Sequence, residues 1–389
     1  MKTPTKFPPA WLWLVDEAIP TWVKKNYSPR ESWKDKPFAK EDAHFFSKGI
    51  QELSLLFTEE RPKGMPPYFR HPKYRSAYLL YFFPLQAAKF LTLFQLHPQA
   101  IQAILNHARQ ARVLRVADLG AGPGTASLSF LLFWMTQDPS LIQDIPIELD
   151  WFDTNADVME DGKILVEMLT NSFPRLRGQV QVRTHVGPWW KAGSKLKEDV
   201  SLALVGHTLN ETQTLVREID SGWKALLDRA GGGGTLIVEP AGRRPSQILS
   251  ACRDRLLELE LIEKTPTQIW GPCLHAEACP LASGRDWCHF SMPAEIPGKW
   301  FRKFSEDLSS ERHWVKFSYL WIASQAYPSP PLDSRLRRVI SDPLSKGPQT
   351  SVLICEPETV GRFPTSQKSG VGRGDLVKIT PPLKARDHR

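Results

Sequence analysis

The chain has 389 residues, 41% hydrophobic and 24% charged, the make-up of a globular protein with a sizeable core and two or three domains. Its net charge of +8 favours a polyanionic partner such as RNA. Five cysteines in this length exclude a disulfide-stapled secreted scaffold, and their crowding fits one metal site in a reducing compartment.

In the opening stretch MKTPTKFPPAWLWLVDEAIP, Asp16 and Glu17 interrupt a short apolar run, so neither a signal peptide nor an acid-free transit peptide is expected. Residues 1–108 read as a helical N-terminal domain. SKGIQELSLLFTEE sets Ile50, Leu53 and Leu56 at helical spacing. SAYLLYFFPLQAAKFLTLFQL and PQAIQAILNHARQ keep the same period, with Pro98 placed for a helix start. Pro84 and Lys89 leave the first of these short of a clean membrane span, and no membrane association is expected. Between these helices, RPKGMPPYFRHPKYR carries Arg61, Lys63, Arg70, Lys73 and Arg75 without an acid, interleaved with Tyr68, Phe69 and Tyr74. Such a mixture can grip phosphates and stack on bases, or it can be a solvated connector.

Residues 109–264 alternate strand and helix. RVLRVADLGAGPGTASLSFLLFWM reads as a strand, a glycine turn and an apolar helix. IPIELDWFDTN, VQVRTHVG, DVSLALVGHTLNET and GGGGTLIVEPAG supply further strands, and SQILSACRDRLLEL a helix. This alternation predicts a mostly parallel sheet with helices on both faces. A cysteine-rich insertion, 265–310, breaks the pattern. In 311–360, HWVKFSYLWIAS and TSVLICEPETV are expected to complete the same sheet. A basic segment, 361–389, follows; VGRGDLVKIT forms one more strand and PPLKARDHR frays.

The most specific motif is DLGAGPGT, Asp118 to Thr125. Its glycines allow a tight turn and a close approach of ligand to backbone. The spacing is G-x-G-x-G, with an acid two residues before the first glycine. An acid there suits a ligand with a positive amino group, such as S-adenosylmethionine, better than a pyrophosphate. The run resembles motif I of the class I methyltransferases. That resemblance implies an α/β, Rossmann-like fold in which Asp118, Gly120, Ala121, Gly122 and Gly124 surround the cofactor and Asp153, ending the second strand, holds its ribose hydroxyls.

After the fourth strand stands GHTLNET, where enzymes that methylate exocyclic amines carry an Asn/Asp-Pro-Pro-aromatic run. His207, Asn210 and Glu211 orient a substrate or the adenine in one reading, and cap the next helix in the other. Cys252 shares a helical face with Ile248, Leu256 and Leu259, which marks it as core and not as a nucleophile. No general base is assigned.

The stretch GPCLHAEACPLASGRDWCHF holds Cys273, Cys279 and Cys288, spaced more widely than a zinc knuckle allows. A loop of this width can wrap an iron–sulfur cubane, and a cysteine followed by proline, as in Cys279–Pro280, occurs at such sites. Cys355 is the best fourth ligand, with His275 and His289 in reserve. Iron–sulfur ranks ahead of zinc, and zinc ahead of metal-free thiols.

Taken together, YRSAYLLYF, DLGAGPGTA, LNE, LIVEPAG, GPCLHAEACPLASGRDWCHF, KFSYL and GRGDL resemble the methyltransferase-like family associated with small ribosomal subunit assembly, which has mitochondrial and bacterial members. The resemblance runs from about Tyr74 to Leu376. Leu274 departs from it, standing where a proline is common. It implies a 4Fe–4S cluster on Cys273, Cys279, Cys288 and Cys355, S-adenosylmethionine at the Asp118–Gly124 turn with Asp153 and Asn210, and small-subunit ribosomal RNA or an assembly intermediate as partner. Two functional readings follow: a ribosomal RNA methyltransferase, or a non-catalytic RNA-binding assembly factor on the same fold. A small-molecule methyltransferase with a structural metal is a third. A monomer is expected, in the cytoplasm or, in a eukaryote, the mitochondrial matrix.

Overall fold

A computed structural model of the chain describes residues 4–58, 66–142, 144–196, 198–212, 216–227, 229, 234–263, 267–293, 295–308, 314–324, 333–346, 349–366 and 369–379. It divides into two compact units. One comprises Pro4–Thr235 and Pro293–Val315; the other comprises Leu236–Met292 and the described residues from Lys316 onward.

The first unit begins with helices, as the apolar periodicity predicts. Ala10–Leu12 runs through a π-helical turn, Trp13–Ala18, into Ile19–Tyr27, and Lys40–Thr58 follows. The helix Pro72–Leu96 contains a second π-helical turn, Tyr78–Phe82. Both turns precede a proline, Pro20 or Pro84. Proline brings no N–H, and its ring presses on the carbonyl one turn back; widening the helix relieves that clash. The N–H of Ile19 accordingly reaches back to Leu14 O, and that of Phe83 to Tyr78 O. Pro72–Leu96 is apolar and long enough to cross a bilayer, yet 94% of the qualifying window is buried inside the fold. Phe94 packs there on Phe130 and Phe133.

The same unit holds β1 (Leu114–Leu119), β2 (Ile147–Asp153), β3 (Val180–Val186) and β4 (Leu202–Gly206). They lie in the order β3-β2-β1-β4, with β1 parallel to both β2 and β4 and β2 parallel to β3. Strand–helix–strand connections require this parallel pairing. The helix Lys299–Asp307 also belongs here: Asp16 accepts hydrogen bonds from the backbone N–H groups of Lys299 (2.9 Å) and Trp300 (3.2 Å).

The second unit carries β5 (Thr235–Pro240), the helix Arg243–Glu263, β6 (Thr267–Gly271), β7 (Phe290–Pro293) and β8 (Trp314–Ser324). Their order is β5-β8-β6, with β6 antiparallel to β8 and β7 also pairing with β8. The cysteine-rich loop therefore springs from β6 and returns to β7, both partners of β8. A five-stranded sheet completes the unit: β9 (Leu336–Val339), β10 (Leu344–Lys346), β11 (Gln349–Glu356), β12 (Thr359–Thr365) and β13 (Leu376–Lys378), ordered β10-β11-β9-β13 with β12 on β11.

This corrects one expectation. HWVKFSYLWIAS does join the strands that follow the glycine-turn half, as β8, but TSVLICEPETV does not complete that sheet. Its strand, β11, pairs with β9, β10 and β12, because Val352 and Ile354 need the apolar side chains of Val339 and Val377 to cover them. The glycines 231–233 and the tail PPLKARDHR lie outside the described residues. The parallel order β3-β2-β1-β4 with its glycine turn, and the antiparallel β8–β6 pair, make this an α/β, Rossmann-like fold of the class I methyltransferase type with a helical N-terminal region.

Candidate functional sites: a glycine turn and a four-cysteine loop

At the end of β1, Gly120, Gly122 and Gly124 all take positive φ, +70°, +52° and +68°. The turn is tied to β2 by Gly120 N–H and Ala121 N–H, which donate to Phe152 O at 2.7 and 3.0 Å. Each glycine meets a different neighbour. A Cβ at Gly120 would strike Thr208, one at Gly124 would strike the indole of Trp151, and one at Gly122 would touch the edge of Phe69 at 3.3 Å. Two of the three are thus required by packing within the protein. Only Gly122 faces a side chain that belongs to another segment's surface turn.

Asp118 is 1% exposed. Its Oδ2 accepts from Ser127 N–H (3.0 Å) and Ser127 Oγ–H (2.7 Å), and Trp151 Nε1 donates to the same Ser127 Oγ at 3.0 Å. The carboxyl therefore organises the start of the helix Thr125–Trp134, the turn-capping role open to any aspartate here. Burial pushes its pKa from 3.8 up to about 7, against the Ser127 bonds and with help from Asp153. Unfolded, the group titrates at its ordinary value, so the folded state binds the proton more tightly. Its contribution to stability is complete below about pH 4 and is lost as pH rises through about 7, with a slope of at most about 1.4 kcal/mol per pH unit. Asp118→Asn should flatten that part of the stability–pH profile of the ligand-free protein. Urea unfolding between pH 4 and 8 checks this; a profile identical to wild type would mean the carboxyl titrates normally.

Asp153 ends β2 where the ribose-binding acid is expected. Its Oδ2 accepts from Gly122 N–H and its Oδ1 from Asn155 N–H, both at 2.9 Å. Burial raises its pKa; bonds from the N–H groups of Asn155, Gly122 and Thr154 oppose the rise. Asn155 in turn caps the helix Ala156–Ser172 through Val158 N–H.

The segment Tyr68–Tyr78 lies over the turn. Phe69 rests against Gly122 and packs on Tyr68 and Tyr78 at centroid distances of 4.4 and 5.1 Å. Tyr68 OH donates to Glu211 Oε1 at 3.3 Å, and Tyr78 OH lies 3.5 Å from Thr125 Oγ1. Burial and then the Glu211 charge hold the Tyr68 phenol well above its ordinary pKa, so it stays protonated. Arg75 fixes the segment: it donates to Phe69 O (3.1 Å) and Asp157 (3.0 Å) and pairs with Asp161 at 3.3 Å. Lys73 is bound to Glu52. Arg75 and Lys73 are therefore engaged in holding this strap, and the Tyr68 and Phe69 rings face the glycine turn. Arg61 and Lys63 lie outside the described residues. The sequence signal for the strap was present in PPYFR. Its aromatic and basic character fits an inward cover as well as an outward RNA surface, and composition does not separate the two.

GHTLNET forms a short 3-10 turn, Leu209–Glu211, after β4, with Asn210 half-buried in it. Glu211 accepts a hydrogen bond from Tyr68 OH, which brings it beside the aromatic segment over the glycine turn. Thr208 Oγ1 donates to Leu119 O (3.1 Å) and Gly206 O (3.0 Å), locking this turn to the end of β1. His207, at φ +57°, is kept neutral by burial and by Lys89, whose Nζ lies 3.5 Å from Nε2. Asp153 and Glu211 thus flank a turn roofed by aromatic rings, a setting that suits a cationic ligand carrying a flat ring.

In the second unit, the loop from β6 to β7 presents Cys273, Cys279 and Cys288, and β11 presents Cys355. All four are free thiols. Burial, followed by the charges of the other three, holds the Cys288 thiol well above its ordinary pKa; burial and then Cys273 and Cys279 push Cys355 up to about 12. The thiols thus lie within electrostatic range of one another. His275 joins them, with Nε2 3.3 Å from Cys355 Sγ, whereas His289 is turned to Trp287 O. Among the described residues no group of three or more His, Cys, Asp and Glu side chains is arranged to hold a metal ion. Arginines line the thiols: Arg253 against Cys273 and Cys279, Arg337 against Cys355, and Arg373 against Cys288. The buried Nε of each has no hydrogen-bond partner among the described residues. Each is also ion-paired, Arg253 with Asp254, Arg337 with Glu356 (4.0 Å) and Arg373 with Asp342 (3.8 Å), and cationic groups beside thiols are compatible with an anionic sulfur-ligated group.

Cys252 is half-buried on the helix Arg243–Glu263. The buried stripe of that helix is Ser246, Leu249, Ser250, Arg253 and Leu256, one position round from the face expected for Cys252.

Several solved structures are weakly similar to the chain. They include an rRNA methylase from Streptococcus thermophilus (12% identity, TM-score 0.26, covering 42% of this chain and 80% of that one). Others are the plantazolicin methyltransferase BamL in complex with a desmethylPZN analogue and SAH (10%, 0.34, 73% and 98%) and an O-methyltransferase family protein from Burkholderia thailandensis (14%, 0.31, 73% and 71%). Likeness at these identities and TM-scores carries no argument about function. No curated protein matches the chain. The family model described as mitochondrial small ribosomal subunit Rsm22 matches residues 77–375, well over half of the chain and including both the glycine turn and all four clustered cysteines. This chain belongs to the family described as mitochondrial small ribosomal subunit Rsm22.

Proposed function

We propose that the protein binds S-adenosylmethionine at the Gly120–Gly124 turn and acts, as a monomer, on small-subunit ribosomal RNA during assembly. The family match supports the ribosomal setting, and for a eukaryotic chain it favours the mitochondrial matrix. The observation that supports the ligand is the cradle of Asp153 and Glu211 beneath Tyr68, Phe69 and Tyr78. Gly122, lacking a side chain, permits close approach to the turn, Asp153 and Asn210 offer polar groups, and Asp118 holds the turn in shape. Phe69 has to move aside for a ligand to reach Gly122.

That contact favours a second reading, a non-catalytic RNA-binding assembly factor in which the strap closes a disused site. Calorimetric titration with S-adenosylmethionine separates the two. Binding by wild type, together with a small-subunit RNA methylation that disappears with the gene, supports the enzyme. No heat of binding in wild type or in Phe69→Ala, with ribosomal RNA still captured, leaves only the assembly factor.

In the second unit, Cys273, Cys279, Cys288 and Cys355 are proposed to hold a structural 4Fe–4S cluster, with zinc the lesser alternative. When bound, such a cluster cross-links the loop to β11 and supplies no methyl chemistry. The convergent thiols and the cationic residues around them support this reading.

A further inference from the structure

The helix Arg243–Glu263 places two consecutive charged side chains against the cysteine loop. Arg253 is 2% exposed, among the most buried charges in the protein. Its Nη2 donates to His275 O at 2.6 Å and its Nη1 to Glu277 O at 2.7 Å. Nη1 also bonds the carboxylate of Asp254, whose two oxygens accept the Cys279 N–H at 3.1 and 3.0 Å. The pair thus pins three backbone groups of the Cys273–Cys279 segment. Arg253 also lies within electrostatic reach of the Cys273 and Cys279 side chains. Its Nε stays buried without a hydrogen-bond partner among the described residues. A guanidinium so deeply buried demands negative charge beside it, and Asp254 alone is one carboxylate shared with a backbone N–H.

Resting on the proposed cluster, we infer that Arg253 is a positioning residue for it: one planar guanidinium shapes the loop between the first two cysteines and balances the negative charge that four thiolates bring. It is no ligand, since arginine stays protonated. The same logic extends around the site. Arg338 stands opposite Cys355 in the β9–β11 register and donates to Pro272 O at 3.1 Å, next to Cys273. Arg253 differs in holding two carbonyls of the loop and, through Asp254, the Cys279 N–H at once. The fork geometry matters as well as the charge, because two carbonyls are held by two separate nitrogens; lysine keeps the charge and loses the fork.

The test uses the full chain purified without oxygen, comparing wild type, Arg253→Lys and Arg253→Gln. Three quantities are measured: iron per chain, rate of iron loss to a chelator, and reduction potential. Arg253→Gln should lose iron at least about tenfold faster, the scale typical of residues that support metal ligands. Its potential should shift negative, because a nearby positive charge favours the more reduced, more anionic cluster. Arg253→Lys should keep the potential near wild type while losing iron at an intermediate rate. A simple packing defect would not separate these two readouts, and the lysine variant keeps the test available if the glutamine variant folds poorly. Wild-type iron retention and potential in both variants would overturn the inference alone. A wild-type chain without iron would overturn the cluster reading, and this inference with it.

Discussion

Gly124→Ala should destabilise the protein by about 2–4 kcal/mol. A methyl at this position would sit 2.3 Å from Cη2 and Cζ2 of Trp151, a side chain that is 0% exposed. Relief requires the indole to move, and the indole is bonded to Ser127, which is bonded to Asp118. Overpacking of a filled core typically costs about 1–3 kcal/mol, and placing a residue with a Cβ at φ +68° adds about 1 kcal/mol. Gly178→Ala is the control. Its φ is +72°, but nothing lies within 4 Å of the added methyl, so only the backbone cost of about 1 kcal/mol should remain. Urea denaturation of the two variants at a pH above 7 measures the difference. Equal losses would show that Trp151 yields easily and that the third glycine serves the turn alone.

Cys355→Ser should abolish the proposed cluster. Three of the four thiols come from one loop, but Cys355 comes from β11, in the other sheet of the same unit. Its Sγ lies 3.3 Å from His275 Nε2, so the strand and the loop meet at this residue. Serine is a poor ligand for iron, and a three-thiol loop leaves one corner of a cubane open to water. Iron in anaerobically purified protein should fall from about four atoms per chain to below about one, with loss of the charge-transfer absorption. Protease cleavage between 271 and 289 should rise, because ligation couples to local folding. Cys252→Ser should change none of these, since Cys252 lies on the helix Arg243–Glu263, in neither the loop nor β11. Zinc in place of iron in the wild type, or full iron in Cys355→Ser, would remove the proposed ligand set.

Much of the fold was legible because its signals are local. The strands around DLGAGPGT and WFDTN, the helix after the glycine turn, and the helix start at Pro98 all appear where periodicity and turn chemistry put them. Asp118 shows the limit of such reading. As a motif residue it suggested contact with a ligand's amino group, whereas its carboxyl caps the next helix through Ser127. The same side chain serves either purpose, and only the orientation of the turn distinguishes them. Cys252 shows a different limit: a face assigned by helical period can be wrong by one residue, and one residue is about 100° on a helix.

The sequence by itself determined the strand–helix alternation and the glycine turn, because each depends on residues close together in the chain. Tertiary structure alone decided which sheet β11 joins, which arginines face the thiols, and that Phe69 covers Gly122. Alternation in TSVLICEPETV specifies two faces of a strand but not its partners. Those follow from where Val339 and Val377 complete an apolar cluster, and that pairing in turn carries Cys355 to its place beside Arg338.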